Sequence, residues 1–359
     1  MVKSIKCVVW DLDNTLWDGV LSEGDQVVPS SVVLETIKAL DCRGILQSIS
    51  SKNDYDTAMR KLKQFGIEHF FLYPQIHWNP KSEAVQTIIT RLNIAEDAVA
   101  FIDDQPFERD EVADLLPGVM MIDAVCISQI LDYPEMQPRF ITDDSRRRRE
   151  MYMQNQQRNE SEHSFTGNKE QFLAELNMVM SISKAEAEDL KRAEELTVRT
   201  HQLNSTGITY DYEELDSIRR SSDYRLLMAD LKDRYGDYGK IGLLLVECGS
   251  RDWTIKLMLM SCRVMSRGVG TVLLSYIQRE AKLAGVRLLA EFLPNDRNRI
   301  MYATYKFAGF AEVPLDHGKG VIVLEHDLHN QAVYPDYMKI ITPNETHENM
   351  RERLPYGKS

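Results

Sequence analysis

Residues 5–10 form an almost unbroken apolar run that breaks abruptly into Asp-Leu-Asp-Asn-Thr, the pattern of a buried parallel strand with polar residues at its carboxyl end. The pattern recurs twice: residues 44–50 lead into Ser-Lys-Asn, and residues 99–102 lead into Asp-Asp. Segments 32–40, 54–65 and 81–92 have helical spacing, so strands and helices alternate as in a doubly wound α/β sheet. Such sheets bind ligands beyond the carboxyl ends of their strands, where all three runs place their polar residues.

The periodicity fades between residues 143 and 163, which contain Arg146–Arg149 and a polar stretch. This segment reads as a helical or irregular linker, its arginines forming a solvated face or a docking patch for an acidic partner. A second α/β alternation follows, with helical spacing over 185–203 and 271–284 and strand patterns over 241–247, 253–260 and 287–292. The organisation expected is a first domain over 1–145, a linker over 146–168, a smaller second domain over 169–330 and a tail over 331–359. The tail is expected to be loosely ordered or docked on the surface.

Bulk properties narrow the function classes. A chain of 359 residues exceeds the usual size of a single core, and 43% hydrophobic with 27% charged residues is a globular composition. A net charge of −12 disfavours nonspecific binding to nucleic acid or to an anionic membrane. The five cysteines are scattered without metal-ligand spacing, and no apolar run reaches spanning length, which points to the cytoplasm.

Phosphoryl transfer needs a nucleophile, a cation and donors that hold the transferred group. Asp11 and Asp13 flank Leu12 at a strand end, where one could attack phosphorus and the other carry a proton. A hydroxyl after the second strand, Ser50 or Ser51, could hold the phosphate; Ser51 is the choice made here. Lys81 could neutralise the transferring group, while Asp103 and Asp104 supply hard oxygen donors for magnesium.

In this order, Asp11–Thr15, Ser51–Asn53, Lys81 and Asp103–Asp104 resemble the four motifs of the haloacid dehalogenase (HAD) superfamily. The resemblance implies a Rossmann-like HAD domain with Asp11 as the phosphorylated nucleophile and Asp13 as general acid/base. It also implies Mg2+ held by Asp11, Asp13 (through its carbonyl), Asp103 and Asp104, with Thr15 and Asn53 supporting the phosphate loop. Little chain separates the first strand from the second. This leaves room for a flap but no large cap, so the site suits a phosphate carried on something bulky.

In the second half, Ser261-Cys262-Arg263 leads through Arg267, Gly268 and Gly270 into a helix whose N-terminal amides could attract phosphate. The loop resembles the pyrophosphate loop of the GNAT family of N-acetyltransferases, and Asn295–Asn298 resembles their later cofactor segment. Met265 and Ser266 stand where a basic residue and a glycine are common. If the strand continues to Cys262, that residue is a core hydrophobe beside Met258 and Met260; with Arg263, Arg267 and a helix N-terminus nearby it could instead be a thiolate. His201 is a general base or a helix-end histidine, and Asn204 and Asn295 are further possible site residues.

The HAD motifs joined to Leu-Met-Ser-Cys262-Arg-Val-Met-Ser-Arg-Gly resemble the FkbH-like family. The resemblance implies a HAD domain followed by a GNAT-like α/β domain. Its implied reaction moves the glyceryl group of D-1,3-bisphosphoglycerate to the phosphopantetheine thiol of an acyl carrier protein, with loss of phosphate, for polyketide biosynthesis. Docking of the acidic carrier would use basic residues such as Arg146–Arg149 or Arg219–Arg220. The rival readings are a phosphatase joined to an acetyl-CoA-dependent N-acetyltransferase, and a carrier-binding module without catalysis.

Overall fold

The first strand, β1 (Cys7–Trp10), is apolar at every position because both of its faces are covered. Cys7 and Val9 pack into one core layer, and Val8 and Trp10 into the other. The chain continues through α1 (Ser31–Cys42), β2 (Leu46–Ser51), α2 (Tyr55–Gln64), β3 (Gln75–Ile76), α3 (Lys81–Leu92), β4 (Val99–Asp103), α4 (Pro106–Leu115) and β5 (Met120–Asp123). All five strands are parallel, in the order β3-β2-β1-β4-β5. The chain steps outward from β1 to β2 and β3, then crosses back to β4, so the strand order reverses at β1. A ligand site at that switch point lies just beyond Trp10, where Asp11 stands.

This computed structural model describes residues 4–24, 26–315, 317–318, 320–330 and 333–343. The chain divides into two compact units, Met1–Met153 and Gln154–Ser359, the second being the longer.

The segment expected as a linker is helical: α5 (Asp143–Arg146) and α6 (Arg148–Ser164). Its four arginines divide: Arg146 and Arg147 are exposed, as a solvated face would have them, whereas Arg148 and Arg149 are not. Arg148 is buried and donates to Gly44 O at 2.9 Å, while Arg149 pairs with Asp41 at 2.9 Å and lies over the Phe70 ring. Arg146 Nη1 meets Cys42 Sγ at 2.9 Å. Gly44 (φ 70°) has no room for a Cβ, which would lie 2.7 Å from both Arg148 Nη1 and Ser145 O.

In the second unit, α7 (Lys169–Glu175), β6 (Met178–Lys184), α8 (Leu190–Arg199), α9 (Tyr212–Arg220), β7 (Tyr224–Asp233), β8 (Gly236–Cys248) and β9 (Asp252–Met260) precede α10 (Val269–Ala284). Then come β10 (Arg287–Phe292), α11 (Arg299–Phe307), β11 (Ala311–Glu312), β12 (Ile322–His326) and β13 (Met338–Ile341). The eight-stranded mixed sheet has the order β11-β12-β10-β9-β8-β7-β6-β13. One core lies under α10 and α11, and a smaller one under α8 and α9.

Three expectations change here. The helix expected over 185–203 ends at Arg199. Part of the expected tail is sheet, because β13 pairs in parallel with β6; residues 344–359 lie outside the described residues. Arg219 and Arg220 both pair with Asp216, so the basic surface expected there is partly neutralised, with Arg220 still exposed. Inside this unit, Arg158 of α6 grips Asp233 through two hydrogen bonds of 2.7 and 2.9 Å, with both side chains buried. No helix among the described residues is long and apolar enough to cross a membrane.

His326, at the end of β12, is buried, and burial holds its pKa below the ordinary histidine value. Its Nδ1 accepts from Leu328 N–H at 2.9 Å, so the folded ring is neutral at that nitrogen. Because the unfolded ring takes up a proton first, stability conferred by this group is complete above about pH 6.5 and declines as pH falls below it. Urea titrations of the wild type and His326→Asn between pH 5 and 8 should show a shallower acid-side loss in the variant; identical slopes would contradict this.

Candidate active site

Adjacent parallel strands in register end at the same level, so β1 and β4 deliver Asp11, Asp103 and Asp104 to one place. One carboxylate oxygen from each lies within 4.8 Å of the others. Lys81 Nζ lies 3.0 Å from Asp11 Oδ1 and 2.5 Å from Asp103 Oδ2. It is the first residue of α3, where the helix dipole disfavours a cation, and only 4% of it is exposed. The two carboxylates hold it there.

Burial lifts the pKa of Asp11, against the opposing pull of Lys81 and with a further push from Asp103. Asp103 is raised chiefly by burial as well. For Lys81, burial alone would lower the ammonium pKa, but Asp11 and Asp103 more than reverse this and leave it raised.

With all three acids ionised, a single lysine leaves two negative charges uncompensated, and Asp104 Oδ1 is buried without a hydrogen-bond partner among the described residues. Each carboxylate pair at this spacing repels by about 3 kcal/mol at an effective dielectric of about 20. Hard oxygen donors, an orphaned carboxylate oxygen and a surplus of two negative charges fit a divalent cation such as Mg2+.

Asp13 takes a different position. Asn14 turns the chain with φ 53°, and Leu12 O accepts the amides of Thr15, Leu16 and Trp17 in a tight loop. The Asp13 carboxylate accepts from Trp17 Nε1 at 2.7 Å, Leu21 N at 3.1 Å and Asn53 Nδ2 at 2.8 Å. It is not one of the clustered carboxylates, so Asn53, expected to serve the phosphate, instead orients Asp13. Thr15 is buried, its Oγ1 has no partner among the described residues, and with Asp104 it lines a cavity of about 260 Å3.

At the second motif, strand alternation puts Ser50 on the face of Leu46, in the layer of Cys7 and Val9, and Ser51 on the face of Gln47 and Ile49, in the layer of Trp10; both serines are buried. Ser50 Oγ is buried without a partner among the described residues. Arg109 was not foreseen: its Nη1 donates to Asp103 O and its Nη2 to Asp123, each at 2.6 Å, fixing the end of β4.

In the second unit, β9 stops at Met260, and Cys262 opens a short turn, Cys262–Val264. The condition for a strand-face core residue is therefore unmet; Cys262 is half-buried and not in a disulfide. A cavity of about 330 Å3 lies nearby, lined by Gly268, Gly270, Met260 and Leu203, and by Lys169 and Tyr337, which the sequence did not single out. Cys262, Arg263 and Arg267 are not among its lining residues. Arg263 donates to Tyr238 O at 3.0 Å, and Arg267 pairs with Glu162 at 3.0 Å. The side chains of Asn204 and Asn295 each accept two nearby backbone amides. His201 is exposed, two residues beyond the end of α8.

Residues 19–113 match the family model of haloacid dehalogenase-like hydrolases. The match takes in Ser51, Lys81, Asp103 and Asp104 and begins after Asp13. Comparison with curated proteins gives no match. Among solved structures, the chain is similar to the N-terminal part of BF1531 from Bacteroides fragilis, containing a phosphatase domain complexed with Mg (29% identity, 36% of this chain, TM-score 0.34). The alignment spans 40% of that chain. It is also similar to the ribosomal-protein-S18-alanine N-acetyltransferase of Escherichia coli (20% identity, 41% of this chain and 92% of that one, TM-score 0.32). A third likeness is to the PaiA N-acetyltransferase of Thermoplasma acidophilum in complex with coenzyme A (17% identity, 41% and 98%, TM-score 0.34). The fold is α/β throughout, with a parallel five-stranded sheet in the first unit, where the family match lies, and a mixed eight-stranded sheet in the second.

If Asn53 orients Asp13, Asn53→Ala should lower kcat for phosphate release about 10- to 100-fold with KM little changed, since small misplacements of a proton carrier cost rate. An unchanged kcat would remove that role. Ser50→Ala should impair turnover more than Ser51→Ala; the reverse order would put Ser51 in that place.

Proposed function

We propose that the first unit is a magnesium-dependent phosphohydrolase that works through Asp11. The observation that carries this is the grouping of Asp11, Asp103 and Asp104 around Lys81 at the sheet's switch point. An Asp11 oxygen attacks phosphorus, the bond from phosphorus to the substrate oxygen breaks, and Asp13 supplies the proton that the leaving oxygen takes. Water then attacks the aspartyl phosphate, with Asp13 accepting its proton, and Asp11 is regenerated. Lys81, paired with Asp11, and the unpartnered Ser50 hydroxyl would hold the transferring group. Asp11, Asp103 and Asp104 would hold Mg2+, which when bound supplies charge neutralisation for the phosphoryl oxygens.

The finer reading is glyceryl transfer from D-1,3-bisphosphoglycerate to the phosphopantetheine thiol of an acyl carrier protein. The Cys262 thiolate attacks the acyl carbon, the carbon–oxygen bond to phosphate breaks, and phosphate leaves with its electron pair. The carrier thiol then displaces Cys262 from the thioester and gives up its proton to solvent. Asp11 removes the phosphate at the other end of the donor. Support comes from the half-exposed thiol at the end of β9 and from the FkbH-like motif string around it. An open phosphatase site, with only a short flap between β1 and α1, suits a phosphate presented on a large carrier.

Intact-protein mass spectrometry after incubation with the donor should show a glyceryl or phosphoglyceryl adduct on the wild type and none on Cys262→Ala. An adduct that survives the substitution would defeat the thioester step and leave the Asp11 chemistry standing.

A further inference from the structure

β9 and β10 pair in parallel only from Asp252↔Arg287 to Ile255↔Ala290, yet β9 runs on to Met260 and β10 to Phe292. Parallel strands that part leave N–H and C=O groups on facing edges, and an amide-bearing ligand could pair with them as an added strand. In this chain its own residues take those groups. Ser205 N–H donates to Met258 O at 2.9 Å, and Met260 N–H donates to Leu203 O at 2.9 Å. Met258 N–H donates to Ser205 Oγ at 3.0 Å, and across the gap Leu293 N–H donates to Ser205 O at 3.1 Å. Asn204 forms an antiparallel bridge with Leu259.

The insertion is locked from behind. Asn298 Nδ2 faces the carbonyls of Asn204, Ser205 and Leu293 at 3.1, 3.3 and 2.9 Å, and Asn298 Oδ1 accepts from Asn295 N–H at 3.0 Å. Asn204, Ser205 and Asn298 are wholly buried. Burying three polar residues is tolerable only when their hydrogen bonds are made, as they are here, so the segment is a fixed part of the sheet.

We infer that the segment 203–205 is a built-in strand occupying the gap between β9 and β10, so the second unit does not take coenzyme A or its acyl thioesters along the β9 edge. Coenzyme A, the cofactor a GNAT-like domain implies, carries amides in its pantetheine arm that would need the same Met258 and Met260 groups, so it does not fit this edge. A thiol-bearing arm must instead use the cavity between α7, α10 and α11, where Leu203 and Met260 form part of the wall. The inference constrains the thiol substrate of the proposed reaction but stands on the β9–β10 gap alone, so each can fail without the other.

Amide exchange followed by NMR should find Met258 and Met260 protected, unchanged on adding coenzyme A, and Ser205→Ala should speed exchange at Met258 about 10-fold through loss of one hydrogen bond. Saturable binding that further protects Met258 and Met260 would overturn the inference. So would wild-type exchange at these amides as fast as in exposed loops, or no change at Met258 in Ser205→Ala.

Discussion

Three carboxylates held within 4.8 Å of one another against a single buried lysine are the constraint around which the first unit is arranged. Such a group repels itself, and a flexible loop would relieve the repulsion by moving apart. Here the acids stand at the ends of β1 and β4, whose backbones are fixed by parallel pairing and by a core on each face. The switch in strand order opens the crevice in which they meet, Arg109 ties down the end of β4, and the first residue of α3 brings the balancing charge. The sheet thereby stores an electrostatic demand that a divalent cation would meet.

Much of this was legible in the sequence because its chemistry sits at strand ends, and a strand end is announced locally by an apolar run breaking into polar residues. Asp11, Lys81 and Asp103–Asp104 could each be placed from a few neighbours. What could not be read was side-chain partnership across the chain. Asn53 bonds Asp13 over a separation of 40 residues, and Arg149 bonds Asp41 over 108, so one looked like a phosphate ligand and the other like a solvated charge. Ser50 and Ser51 differ only in which face of β2 they occupy. Neighbouring residues report a strand's ends more sharply than its phase.

The second unit was harder to read for a related reason. Its large sheet mixes parallel and antiparallel pairs contributed from distant parts of the chain, with β13 joining β6 and the segment 203–205 joining β9. Apolar Leu203 has the periodicity of the helix before it, and only the hydrogen bond from Met260 N–H to its carbonyl makes it part of the sheet. Cys262 was ambiguous because its role turned on where β9 stops, two residues short of it. Whatever acyl chemistry this unit performs must work around a strand gap already closed by its own chain.

The account rests most heavily on Asp11 as a nucleophile in a site that needs a divalent cation. The direct measurement is phosphate release from a small phosphomonoester by the wild type and by Asp11→Asn, with and without added Mg2+. Release by the wild type that requires Mg2+ and falls to background in Asp11→Asn is the predicted result. Mg2+-independent release, or release of similar rate by Asp11→Asn, would contradict it.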